Sequence, residues 1–185
     1  YATALGLHLT SNSWGGGGYS QALKDAIDHA GAHGSLFVAA AGNSNSDNDV
    51  NPHYPSNYTS PNVISVAATE HNDGRAGFSC YGATSVDLGA PGDHILSTVP
   101  NGGYAILSGT SMATPHVAGV CALLWSTDPG LTHEQIKALI MASVDPLPSL
   151  DGKCVTGGRL NALNALVSGD GPYVVAQDEA LDDDN

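Results

Sequence analysis

Apolar positions along the chain alternate between strand-like and helix-like periods. Leu5–Ser13 alternates apolar and polar residues and reads as a strand that runs into a glycine-rich turn at Gly15–Gly18. Ser20 is placed to cap a helix over Gln21–Ala32, whose Leu23, Ala26, Ile27 and Ala30 recur at helical spacing before Gly31 and Gly34 end it. Ser35–Ala41 is continuously apolar, the pattern of a strand covered on both faces. A polar loop, Asn43–Asn62, follows, and then a second such strand at Val63–Thr69. Short strands are expected at Val86–Ala90 and Ile95–Thr98, separated by Pro91-Gly92. Ser111–Ser126 reads as a helix apolar on nearly every side, and therefore buried. Thr132 with Gln135 forms a capping-box signal for a helix to about Val144, and Gly158 precedes a last helix, Arg159–Val167.

Strands alternating with helices predict an α/β fold, a mostly parallel sheet with helices on both faces. Sites in such sheets form beyond the carboxyl ends of the strands. The segments to inspect are therefore Ser13–Gly18, Gly42–Ser46 and Ser108–Ser111.

Composition narrows the partners. The 185 residues carry 18 acidic against 5 basic side chains, a formal charge of −13, which argues against nucleic acid or an anionic membrane as partner. Part of the imbalance is local: residues 170–185 form an acidic segment expected to be a disordered tail after a domain spanning 1–169. No apolar stretch approaches the roughly 20 residues of a membrane-spanning helix. Cys80, Cys121 and Cys154 lack the spacing of a zinc site; Cys121 reads as a buried small hydrophobe, and a Cys80–Cys154 disulfide stays open.

Ser111 is the candidate nucleophile. Gly109 permits a sharp turn and Thr110 is placed to cap the helix, which puts Ser111 in a first turn whose N–H groups are unpaired and favour negative charge. Most serines at such places only cap. The run Ser108-Gly109-Thr110-Ser111-Met112-Ala113-Thr114-Pro115-His116-Val117-Ala118-Gly119 closely resembles the nucleophile motif of the subtilisin-like serine proteases. Ala39-Ala40-Ala41-Gly42-Asn43 resembles that family's oxyanion-hole segment, and Ser13-Trp14-Gly15-Gly16 its substrate-pairing strand. Tyr54-Pro55-Ser56, Phe78–Gly82, Val86–Gly92 and Gly158–Ala162 match in order, so the resemblance runs from about Leu7 to Val167.

The resemblance implies part of a subtilisin-like three-layer fold and peptide-bond hydrolysis through an acyl-enzyme on Ser111. Asn43 would be an oxyanion donor, and Ser13, Trp14, Gly15, Ala41 and Gly42 would line the slot for an extended peptide. Gly102-Gly103-Tyr104 would border the leaving-group side. No cofactor is required for that chemistry. The family's loops often bind calcium, which makes Asp47 and Asp49 candidate ligands, with the backbone around Ser56–Pro61 as another. Secretion or a vacuolar location is the family expectation, and only there would the sequon Asn57-Tyr58-Thr59 matter.

The chain carries neither the family's Asp-[Ser/Thr]-Gly turn nor its His-Gly-[Thr]-His motif, both of which lie earlier in the family's order. His33-Gly34-Ser35 falls at the wrong place and reads as a surface helix end. His116, five residues after Ser111, is turned about 140° around the helix and cannot reach the serine, so it is expected to be a buried structural histidine. The expectation is thus a fragment whose Asp and His lie in a missing N-terminal segment, inactive when isolated. The alternatives are a second chain that supplies the other half, or a catalytically inactive homologue acting as a peptide- or protein-binding module. A dinucleotide-binding domain is disfavoured, because Gly15–Gly18 lacks the GxGxxG pattern and its acidic partner.

Overall fold

The computed structural model describes residues 1–168; the expected acidic tail lies outside them. A 3₁₀ turn at Thr3–Leu5 precedes the strand β1 (Leu9–Asn12) and the helix α1 (Gln21–Ala32). Then come β2 (Leu36–Ala40), β3 (Val63–Thr69), β4 (Leu88–Pro91), β5 (Ile95–Val99) and β6 (Gly103–Leu107). The helices α2 (Thr110–Thr127) and α3 (His133–Ala142), the short strands β7 (Asp145–Pro146) and β8 (Gly158–Arg159), and α4 (Ala162–Ser168) complete the order.

The main sheet runs β1-β2-β3-β4-β8-β7, parallel except for the β7–β8 pair. Every residue of β2 and β3 is buried, as continuous apolar runs require when helices cover both faces. The side-chain alternation of β2 shows the layering. Leu36 and Val38 join one core with Ile64, Val66, Leu88 and the α2 residues Val117, Cys121 and Leu124. Phe37 and Ala39 face the other way and pack with Ile27 of α1 and Tyr58. Each fully buried Val, Leu or Ile contributes about 1.5–3 kcal/mol, so burial anchors both strands strongly.

Two of the three expected caps are present. Ser20 Oγ accepts from Leu23 N, and Thr132 and Gln135 form the reciprocal capping box. Four expectations require correction. The first strand begins at Leu9, because residues 3–5 coil into a turn that Gly6 closes at φ +67°. Ile95–Val99 does not join the main sheet: with β6, for which the sequence carries no clear strand signal, it forms a separate antiparallel hairpin across Asn101-Gly102, both at positive φ. α2 is not buried all round, since Pro115, His116, Gly119, Ala122 and Leu123 are exposed along one side. Arg159, expected to open the last helix, is in β8, where its guanidinium bridges Asp73 and Asp145, the latter at 2.8 Å.

The three cysteines are free thiols, all buried. Among the described residues no helix is long and apolar enough to cross a membrane.

Candidate active site

The carboxyl ends of β1 and β2 and the start of α2 converge, and the geometry at α2 follows from unpaired backbone groups. The N-cap is Gly109, which has no side chain, so Thr110 does not cap the helix as expected. Asn43, 67 residues away, caps it instead: its Oδ1 accepts from Thr110 N and from Thr110 Oγ1, both at 2.9 Å. Because an N–H can only donate, this bond fixes which end of the Asn43 amide is oxygen and leaves Nδ2 as the outward end. Thr110 Oγ1, wholly buried, also accepts from Gly42 N at 3.1 Å. One hydroxyl thereby ties the Gly42–Asn43 turn to the helix start.

Ser111 N–H bonds to no acceptor among the described residues, whereas the next amide, Met112 N, donates to Gly109 O. A Cβ added at Gly109 would lie 3.3 Å from Asn43 Nδ2 and 3.6 Å from Ser111 N. Glycine therefore keeps open the space between two uncommitted donors, which is where an oxyanion is stabilised.

Ser13 and Ser111 are interlocked. Pro115 has no N–H, so Ser111 O loses its helical partner four residues on. Ser13 Oγ supplies the missing donor at 2.7 Å, and in return Ser111 Oγ donates to Ser13 O at 3.3 Å. This exchange docks the edge of β1 beside the serine. The other edge of β1 has no strand partner among the described residues. Trp14 is half-exposed and meets Phe37 edge-on at 6.2 Å, so it does not fill the core. Ala41 is buried beneath the turn, and Gly42 takes φ +108°.

No histidine among the described residues meets the Ser111 hydroxyl, which donates to Ser13 O. His116 is exposed, not buried as expected, and its Nδ1 bonds Met112 O at 2.8 Å. His33 is the expected helix-end residue, bonded to His29 O. His53, which has no role by sequence, stands against both Gly15 and Gly42: a Cβ on either glycine would meet its ring. Nothing in the linear pattern of the loop signals that approach. Burial lowers the His53 pKa and favours the neutral ring.

The calcium candidates already accept hydrogen bonds from their own loop and from Thr84. Asp47 Oδ1 accepts from Asp49 N, and the Asp49 carboxylate accepts from Thr84 N and Oγ1. Burial raises the Asp49 pKa, but these donors and Ser85 together outweigh it and hold the carboxyl below its ordinary value. No cluster of three or more His, Cys, Asp or Glu side chains with metal-binding geometry occurs among the described residues. The stretch around Ser56–Pro61 borders a polar cavity of about 440 Å³, into which Lys137 projects, its Nζ on Pro61 O and Val63 O and 3.7 Å from Asp87. In the sequon, Asn57 Nδ2 already donates to Asn48 O while Oδ1 accepts from His53 N.

A serine at a helix start, two converging donors and an open strand edge lie together at one end of a mostly parallel α/β sheet. Residues 1–169 match the subtilase family, and the chain belongs to it. It is 44% identical over 166 residues to thermitase of Thermoactinomyces vulgaris, covering 90% of this chain and 56% of that protein. Subtilisin DY of Bacillus licheniformis is 46% identical over 138 residues, 74% of this chain and 49% of its own length. Among solved structures, a protease from Pseudoalteromonas arctica superposes with a TM-score of 0.77 at 32% identity, over 87% of this chain and 51% of that one. The chain thus spans about half the length of these relatives.

Proposed function

We propose that this chain is the nucleophile-bearing part of a serine endopeptidase that forms an acyl-enzyme on Ser111, with the triad His and Asp contributed by a segment preceding Tyr1 in the whole protein. The observation that carries the reading is the pair of uncommitted donors, Ser111 N–H and Asn43 Nδ2, on either side of the gap kept open by Gly109. A carbonyl attacked by Ser111 Oγ would place its oxygen there, and an extended peptide would pair with the edge of β1 at Ser13–Gly15. A serine needs a base within hydrogen-bond reach, and the Ser111 hydroxyl here donates to a backbone carbonyl.

The surface beside Ser111 suits a missing layer. Leu96, Tyr104, Ile106 and Leu107 of the β5–β6 hairpin and Leu123 of α2 are exposed large apolar side chains, and β1 has an edge unpaired among the described residues. The preceding segment would cover this face and bring the base with it. Peptide or protein is the substrate, neither nucleic acid nor membrane is a partner, and the setting is secreted or vacuolar. Structural calcium is part of the same proposal, with the chemistry itself independent of metal; a rise in melting temperature on calcium addition tests it.

The test is labelling with a serine-directed phosphonate of the protein made from its full coding sequence. Labelling that disappears in Ser111→Ala is expected. Absence of Ser111-dependent labelling favours the second reading, an inactive homologue that binds peptides. That reading is favoured by the Ser111–Ser13 exchange, which satisfies the serine without a base. Retained peptide binding without labelling would establish it.

A further inference from the structure

α1 ends in two histidines that the proposed reaction does not use. His29 lies in its last turn, and His33, four residues on, is its C-cap. Residues four apart on a helix are surface neighbours, and here the ring centroids stand 4.3 Å apart with the planes tilted by 48°. Both residues are exposed.

The helix end fixes the proton on one ring. The last carbonyls of a helix lack an intrahelical donor, and His33 Nδ1 supplies one to His29 O at 2.8 Å. A carbonyl only accepts, so Nδ1 carries the hydrogen in the neutral ring and Nε2 keeps its lone pair. A metal-binding histidine donates its other N–H to a backbone carbonyl in the same way, which holds the ring in place. His29 has no hydrogen bond from either ring nitrogen among the described residues, and an exposed side chain turns quickly to aim its lone pair. A metal about 2.0–2.1 Å from each nitrogen would lie about 3.2 Å from each ring centre, so with centres 4.3 Å apart its two bonds would meet at about 85°. That is close to the angle between neighbouring ligands in tetragonal or octahedral coordination. The place also suits a cation, because the carboxyl end of a helix is partially negative and the chain carries a formal charge of −13.

We infer that His29 and His33 form a chelating site for a divalent transition metal of the zinc, nickel or copper kind. Imidazole nitrogen selects these ions over calcium and magnesium, which take oxygen ligands. Two histidines four apart on one helix face are also the pair that zinc-binding helices present. Water fills the remaining positions, since no cluster of three or more His, Cys, Asp or Glu side chains with metal-binding geometry occurs among the described residues. The bound ion ties the cap to the last turn and stabilises the folded chain, because the unfolded chain does not hold the two rings at this distance. The site is independent of the protease reading.

Calorimetric titration with Zn²⁺ of the protein made from its full coding sequence tests it. The comparisons are His29→Gln, His33→Asn and a control, His71→Gln, at an exposed histidine in the turn after β3. Asparagine keeps a donor where His33 Nδ1 stands, so the cap survives while the lone pair is lost. The affinity of one Zn²⁺ site should fall about tenfold or more in each of the first two variants, because one imidazole remains where two acted together. His71→Gln should leave it unchanged. Zn²⁺ should raise the melting temperature of the parent and of His71→Gln, and not that of the other two. With metal removed by a chelator all four should melt alike, which separates loss of the site from loss of the fold. No Zn²⁺ binding by the parent overturns the inference, as does an affinity unchanged in either His29→Gln or His33→Asn.

Discussion

Thr110→Val removes one oxygen atom and nothing else of consequence. Valine nearly preserves the volume of the wholly buried Thr110, and the Thr110 N–H bond to Asn43 Oδ1 survives. Two interactions disappear: the bond from Gly42 N at 3.1 Å and the bond to Asn43 Oδ1 at 2.9 Å. The Gly42 N–H is then left buried without an acceptor, which costs about 1–3 kcal/mol, and the second bond adds about 0.5–1.5 kcal/mol. The total is about 2–4 kcal/mol, a melting-temperature loss of roughly 5–15 °C for a domain of this size. Thr110→Ser keeps the hydroxyl and should lose only about 1 kcal/mol, the loss of one buried methyl. Urea unfolding of the two variants gives the comparison. In the labelling experiment, Ser111 of the Val variant should react about tenfold more slowly, equivalent to about 1.4 kcal/mol, because Asn43 is held by one bond instead of two. Equal stability of the Val and Ser variants would refute the reasoning, because it would mean that the Gly42 amide does not depend on this hydroxyl.

Three further outcomes are expected. Lys137→Met should destabilise the chain by about 1–3 kcal/mol in urea unfolding, since it removes the cation beside Asp87, whose carboxyl burial already pushes up against the pull of Lys137 and the Ser65 N–H. Asp145 lies below its ordinary pKa because Asn161 and Arg159 bond it, so its contribution is present above the unfolded value of about 3.9 and is lost as pH falls through the lower folded value. Arg159→Met should therefore lose stability at about pH 7 and much less at about pH 2, and an equal loss at both would contradict the assignment. Burial pushes the Cys121 thiol up to about 12, so a thiol reagent should leave Cys121 unmodified in the folded chain and find three thiols after unfolding. A count of one would mean that Cys80 and Cys154 are paired.

The elements with the clearest local signals are legible without any structure. The apolar run Val63–Thr69 has the observed limits of β3, and the caps at Ser20 and Thr132 form where the sequence places them, because each is written in a few adjacent residues. The strand expected at Ile95–Thr98 is observed as β5, but its partner β6 is not legible, although Asn101-Gly102 forms the turn between them; four large side chains of the hairpin face outward, so its period does not mark a core. The composition of α2 suggests a helix buried all round, but its surroundings leave one side uncovered.

The candidate site divides in the same way. The run around Ser111 is contiguous, so its resemblance to the subtilisin-like nucleophile motif makes Ser111 and, through Gly42-Asn43, Asn43 the candidates by sequence. That Asn43 rather than Thr110 caps α2, that Ser13 completes the carbonyl orphaned by Pro115, and that His53 stands against both Gly15 and Gly42 were decided by the tertiary structure. Each joins groups that only the fold brings together, from a proline's missing donor or a glycine's missing Cβ. Periodicity records which side of an element is apolar; it carries no record of which distant donor meets which acceptor.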